Sequence, residues 1–312
     1  MGKVENENID PQLSLARNGK SFHWASRILG ADMGRDGAKL YAFCRLLDDL
    51  ADDDIPDGPT RLGVIHADLK ANRPSGDPTF AQFQPFMEEK GFRKAVLVAL
   101  IDGLLQDQED TVALASEGDL VRYAYRVAGT VGLLMCQVLN CHEKEARAHA
   151  IDLGIAMQLT NIARDILEDA QMGRRYIPEG WVDGISPQSI AMAAGNPTGD
   201  HARKVQSAVK RLLALADIFY KSGSRGYRYL PWRAHLAIAV AARVYRQIGV
   251  QLKKQGYNWH AGRQVTTGLT KARVSLPALF SLFRRMPLPR AISPPRHDPV
   301  LHRDLRGLPD VG

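Results

Sequence analysis

A chain of 312 residues with 45 % hydrophobic content can bury one large core, and its net charge of +7 is unevenly spread. Residues 1–200 carry 20 Lys/Arg against 30 Asp/Glu, whereas residues 201–312 carry 21 against 4, so an anionic membrane surface or a diphosphate-bearing substrate is an expected partner of the C-terminal third. The longest apolar runs, such as Leu236 to Ala242, are far too short to span a bilayer, no aromatic and basic nucleic-acid motif is present, and Met1 to Pro11 is too polar for a secretory signal, which gives a cytoplasmic expectation and no nucleic-acid partner.

Residues 1–17 read as a flexible lead-in with a weak helix. Asn18-Gly19-Lys20-Ser21-Phe22 reads as a turn into a helix, with Ser21 as N-cap and Lys20 at its positive end, which suits either a plain cap or a phosphate site. Gly30 to Gly37 breaks the pattern before a helix over Ala38 to Asp52. There Leu40, Phe43, Leu47 and Leu50 form the apolar stripe, while Arg45, Asp48, Asp49 and Asp52 gather on another face. Asp53 to Gly58 is an acidic turn. Counted from Asp48 as a calcium loop, this stretch puts Asp53 where glycine is required and Pro59 where glutamate is required, which excludes an EF-hand.

Pro59 to Asn72 and Thr79 to Glu89 carry helical periodicity with breaks at Pro74-Ser75-Gly76 and Gly91, and Lys94 to Asp107 is a clean amphipathic helix. Strand-like alternation is nearly absent. Leu120 to Leu139 is a further helix in which Ala128, Gly129 and Gly132 fall three or four apart. Glycine costs about 1 kcal/mol inside a helix, so either a neighbouring helix or a ligand tail comes close there. Tyr123 reads equally as a buried core tyrosine and as a cavity residue presenting its hydroxyl and π face. Cys44, Cys136 and Cys141 lack metal-like spacing and read as free thiols.

Glu143 to Asp169 is the long central helix, stopped by Gly173 and Pro178. Its polar residues Gln158, Asn161, Asp165 and Asp169 recur at steps of three, four and four and line one face, beside the apolar Ile155, Leu159, Ile162 and Ile166. A lone Asp-x-x-x-Asp is ordinarily a solvated helix face, but the step from Asp165 to Asp169 repeats the step from Asp48 to Asp52. Two such helices facing each other would turn four carboxylates into one cavity. Hard oxygen donors without His or Cys favour Mg²⁺, completed by substrate phosphates. Arg174 and Tyr176 follow the stripe directly, where an arginine either caps the helix or reaches an anion. Ser186 to Ala193, His201 to Lys221 and Pro231 to Lys254 are further helices, and Arg243 and Tyr245 interrupt the alanine-rich surface of the last. The Pro/Arg-rich stretch 284–312 is expected to be a disordered tail, leaving 18–283 as one all-α domain.

With these motifs the chain resembles the squalene and phytoene synthases, most closely those of the bacterial phytoene type, from about Lys20 to about Lys271. The resemblance rests on Lys20-Ser21-Phe22, on Tyr41 to Arg45 leading into Asp48-Asp49-Leu50-Ala51-Asp52, on Tyr123 to Gly132, and on Gln158 to Asp169 with Arg174-Arg175-Tyr176-Ile177-Pro178. It implies an all-α isoprenoid synthase bundle around a central cavity and an Mg²⁺- or Mn²⁺-dependent prenyltransferase. The implied reaction joins two geranylgeranyl diphosphates head to head, through a cyclopropylcarbinyl diphosphate, to phytoene. The implied metal positions are Asp48, Asp49, Asp52, Asn161, Asp165 and Asp169. The implied substrate positions are Lys20, Ser21, Phe22, Ser26, Arg45, Gln158, Asn161, Arg164, Arg174, Tyr245 and Arg263, with Asp48, Asp52, Asp165, Asp169, Tyr123 and Arg45 also in the reaction. Phe22 and Ser26 share a helix face that the resemblance turns toward the prenyl tail, and small Ser26 favours the longer substrate. Squalene or dehydrosqualene synthesis from farnesyl diphosphate is the nearest alternative, and a non-catalytic scaffold relative is the alternative of another class. A monomer or weak dimer with peripheral membrane contact is the expected state.

Overall fold

Apolar residues spaced at three and four along most of the sequence give helices that must hide one face, and they do so around one long central helix. The computed structural model describes residues 10–109, 111–261, 277–278, 282 and 296–311. Its helices, in chain order, are α1 (Pro11–Asn18), α2 (Lys20–Ser26), α3 (Ala31–Ala51), α4 (Gly58–Lys70), α5 (Pro78–Ala81), α6 (Gln84–Glu89), α7 (Lys94–Gln106), α8 (Glu117–Ala124), α9 (Thr130–Val138), α10 (Lys144–Gln171), α11 (Pro187–Ala193), α12 (Asp200–Gly223) and α13 (Trp232–Lys254). Between them lies one parallel pair of two-residue strands, β1 (Val112–Ala113) and β2 (Arg174–Arg175), with Val112 opposite Arg174.

Helix α10 is the spine, with α9, α11, α12 and α13 packed along it. Ile155, Leu159, Ile162 and Ile166 are buried on it, each contributing roughly 2 kcal/mol at the upper limit of area transfer. The close approach of its neighbour is enforced by glycine. A Cβ on Gly154 would stand 2.2 Å from the Ala128 carbonyl oxygen, and one on Gly132 would stand 2.3 Å from that of Ala150. The small-residue stripe is therefore a helix–helix contact rather than a berth for a ligand tail. The single helix expected over Leu120 to Leu139 is divided instead: a π-helical turn, Tyr125–Gly129, separates α8 from α9 and inserts an extra residue into the turn.

Several boundaries expected from sequence are corrected by packing. Gly34 and Gly37 lie inside α3, and only Gly30, at φ 86°, breaks the chain there; the buried face of α3, from Ala38 to Ala51, outweighs the helix cost of two glycines. Helix α1 is ordered within the stretch expected to be flexible, because Asp10 accepts from the Gln12 and Leu13 amides at 2.9 and 3.2 Å and Leu15 is buried. Ser21 is not the N-cap of α2, which starts at Lys20 with Gly19 as cap. Gly19 is held to glycine by crowding, since a Cβ there would lie 2.8 Å from the Tyr41 ring.

Residues 296–311 overturn the expectation of a disordered tail for that stretch, while 284–295 and 312 lie outside the described residues. A 3₁₀ turn over Pro299–Leu305, capped by Asp298, buries His302 and Leu305. Arg122 of α8 donates to the Asp304 carbonyl at 2.8 Å, and Asp310 is ion-paired to Arg93 and to Arg147, the latter at 3.0 Å. Pro- and Arg-rich composition reads as unstructured, but these partners lie on α8, on α10 and just before α7, and only the tertiary fold assembles them. No described helix is long and apolar enough to cross a membrane. Cys136 and Cys141 are buried and Cys44 partly so, all three as free thiols.

Candidate active site

Two helices bring their carboxylates to one cavity of about 340 Å³. Helix α3 contributes Asp48, Ala51 and Asp52 to its wall, and α10 contributes Gln158, Asn161, Ile162, Arg164, Asp165 and Asp169. Leu104 and Asp107 at the end of α7, Tyr123 of α8, Val127 of the π-helical turn, and Arg174 with Tyr176 complete it. The β1–β2 pair explains how the last two are positioned, because it ties the chain leaving α10 to the segment after α7. From there Arg174 reaches across to Asp52, the C-cap of α3, at 3.4 Å.

The electrostatics are those of a negative cavity short of counter-charge. Burial, with the neighbouring Asp52, Asp49 and Asp107 outweighing the opposing pull of Arg45, pushes the Asp48 carboxyl up to about 7. Burial and the charge of Asp165, against the opposing pull of Arg174, push Asp169 up to about 8. Asp165 is differently placed, gripped by Arg164, whose Nε donates to it at 2.7 Å while an Nη of the same guanidinium donates to its other oxygen. Asn161 donates its amide to Gln158 at 3.3 Å and leaves its own Oδ1 buried without a partner. On the opposite wall the Tyr123 and Tyr176 rings stack at 4.6 Å, and both hydroxyls donate to Asp107, at 2.8 and 2.7 Å. Burial raises the Asp107 carboxyl, while these two hydrogen bonds work against that rise.

The profile of the family described as squalene/phytoene synthase matches residues 15–277. The chain is 36 % identical over 261 residues to the phytoene synthase of Rhodobacter capsulatus, covering 81 % of this chain and 75 % of that one. It is 35 % identical to the 15-cis-phytoene synthase of Enterobacter agglomerans over 263 residues, covering 80 % and 86 %. The chain belongs to the squalene/phytoene synthase family. Among solved structures, a dehydrosqualene synthase with bound ligand superposes with a TM-score of 0.74 at 25 % identity over 88 % of this chain and 95 % of that one. The squalene synthase of Alicyclobacillus acidocaldarius superposes with a TM-score of 0.66 at 22 % identity over 79 % and 92 %, which shows the shared all-α isoprenoid-synthase fold.

Within this synthase fold the sequence-derived residues do not all come to one place. Asp48, Asp52, Tyr123, Gln158, Asn161, Arg164, Asp165, Asp169 and Arg174 share the cavity. Arg45 turns to Asp49 and, at 3.5 Å, to Asp54, so Asp49 faces an arginine rather than the cavity. Phe22 and Tyr245 lie ring to ring at 5.2 Å, with Tyr41 at 6.4 Å from Phe22, in an aromatic group beside α3 and α13. Ser26 is outside the cavity wall and donates to the His23 carbonyl of its own helix at 3.0 Å. Lys20 and Ser21 begin α2, and Arg263 lies outside the described residues. Asp107 and Tyr176 were missed as site residues. The sequence held one signal for Asp107, an acidic residue at a helix C-terminus, where the macrodipole disfavours it.

Proposed function

We propose that this chain is a phytoene synthase, joining two geranylgeranyl diphosphates head to head through a cyclopropylcarbinyl diphosphate. The observation that carries the reading is the convergence of Asp48, Asp52, Asp165 and Asp169 with Arg164 and Arg174 on one cavity, in a chain whose curated relatives at 35–36 % identity are phytoene synthases.

Hard oxygen donors, two carboxyls raised by burial and by neighbouring aspartates, and the unpartnered buried Oδ1 of Asn161 fit a divalent cation such as Mg²⁺ or Mn²⁺. Asp48, Asp52, Asn161, Asp165 and Asp169 would hold it. When bound, such an ion neutralises diphosphate charge and so assists ionisation. Arg164 and Arg174 add positive charge where the leaving diphosphate gathers its own, and each is held in place by a carboxylate, Asp165 and Asp52 respectively. Leu104, Val127 and Ile162 line the cavity with carbon, keeping water from the allylic cation that ionisation leaves behind. The stacked Tyr123 and Tyr176 offer π faces to that cation, and Asp107 fixes both phenols.

The test is incubation of the purified protein with Mg²⁺ and either geranylgeranyl or farnesyl diphosphate, with the hydrocarbon identified by mass. Phytoene from the former is the expected outcome. A C30 hydrocarbon from the latter alone would favour the dehydrosqualene reading, toward which the likeness to the solved dehydrosqualene synthase points. Substrates and product carry long hydrocarbon chains, and residues 201–312 hold most of the excess positive charge. Peripheral contact with anionic bilayers therefore belongs to the same proposal, and liposome co-sedimentation that weakens with salt tests it.

A further inference from the structure

Far from the carboxylate cavity, the C-terminal strap of residues 296–311 meets α10 at a buried cluster that the synthase reaction does not use. Asp152 lies on α10 with its side chain fully buried, and its two oxygens are each taken by an imidazole Nε2: His297 at 2.9 Å and His302 at 2.8 Å. The two rings stand 4.3 Å apart, and one ligand atom from each of the three residues lies within 4.8 Å of the others. No Lys or Arg pairs with Asp152 among the described residues. The two imidazoles and the buried carboxylate thus converge on one point, an arrangement that a cation held by all three would complete.

A third imidazole stands beside the cluster. His149 is one helical turn before Asp152 on the same face of α10, buried at 2 % exposure, with its ring 5.3 Å from that of His297. It hydrogen-bonds to the Ser222 backbone, while its Nδ1 is buried without a partner. A bond through Nε2–H leaves Nδ1 as the nitrogen with a free lone pair, the tautomer that metal-ligating histidines adopt when the other nitrogen donates to a carbonyl.

We propose that Asp152, His297 and His302 hold a divalent transition-metal ion of the zinc class, which fastens the C-terminal strap to the central helix. Two imidazoles and a carboxylate are borderline donors suited to zinc and unlike the all-oxygen set of the catalytic cavity. The fourth tetrahedral position is open to water. Asp165 is thirteen residues further along α10, about 20 Å at 1.5 Å per residue, so the two sites are separate.

The experiment uses the full chain, stripped with chelator, dialysed, and loaded with Zn²⁺ alone or Co²⁺ alone. The expected result is retention of one equivalent of zinc by elemental analysis, with an intense visible d–d band from tetrahedral Co²⁺. His297→Gln and His302→Gln should abolish both, because glutamine can still donate a hydrogen bond to Asp152 but ligates zinc poorly. Asp48→Asn should leave the band unchanged. Tryptic cutting after Arg303 and Arg306 should slow on zinc loading. A parent protein that retains no zinc overturns the proposal, as does zinc retained equally by both glutamine variants, which would leave the cluster a hydrogen-bonded triad.

Discussion

Asp169→Asn should stabilise the metal-free protein while disabling it. The Asp169 carboxyl is pushed up to about 8 by burial and by Asp165, whereas the same group in the unfolded chain ionises near the usual carboxylate value of about 4. At about pH 7 the unfolded state gains roughly 4 kcal/mol from that ionisation and the folded state almost none. Asp169 keeps some solvent exposure, which relaxes part of this difference, so about 2 kcal/mol is the working figure, or a melting-temperature rise of roughly 3 °C. The sign follows from the raised folded pKa: the contribution of Asp169 is fully present below about pH 4 and is lost as pH rises toward about 8. Asparagine cannot ionise, so its advantage should be largest at neutral pH and shrink to a fraction of a kcal/mol near pH 4. Thermal melts of both proteins in EDTA at the two pH values measure this. A variant that melts below its parent at neutral pH, or a gap independent of pH, would refute the reasoning and make Asp169 a structural residue.

Mg²⁺ affinity should rise with pH through the range about 7 to 8, because Asp48 and Asp169 must lose protons to bind it; calorimetry in buffers of different ionisation enthalpy should record proton release, and a pH-independent affinity with none would contradict the electrostatics. Arg174→Gln should lower kcat by about a hundredfold or more through loss of charge at the leaving diphosphate, and turnover within threefold of the parent would remove Arg174 from that role. Gly154→Ala should cost several kcal/mol, since its Cβ would overlap the Ala128 carbonyl oxygen at 2.2 Å; an unchanged melting curve would mean that α10 and the π-helical turn can separate freely. Exhaustive chelation should abolish product formation and Mg²⁺ or Mn²⁺ should restore it, whereas full activity in the chelated protein would sink the metal assignment.

The central helix, the paired Asp-x-x-x-Asp steps and the family could be read from the residues alone, because each is written in short-range spacing. Helical periodicity turns Asp48 with Asp52, and Asp165 with Asp169, onto single faces before any partner is known. What the tertiary structure decided is everything that depends on residues far apart in the chain. Sequence left the Ala128, Gly129 and Gly132 stripe open between a helix and a ligand tail, and the 2.3 Å approach of the Ala150 carbonyl to a Cβ on Gly132 decides for the helix. In sequence Asp107 is no more than the last residue of an amphipathic helix, yet Tyr123 and Tyr176 close over it from two other segments and make it part of the cavity wall. Asp165 and Asp169 look equivalent in sequence, but Arg164 grips Asp165 and no arginine pairs as closely with Asp169 among the described residues. The Pro/Arg-rich composition after residue 284 hid the strap, whose order comes from Asp152, Arg93, Arg122 and Arg147 on or beside three helices. Composition reports what a segment can do by itself, and burial beside distant partners is a property of the folded chain.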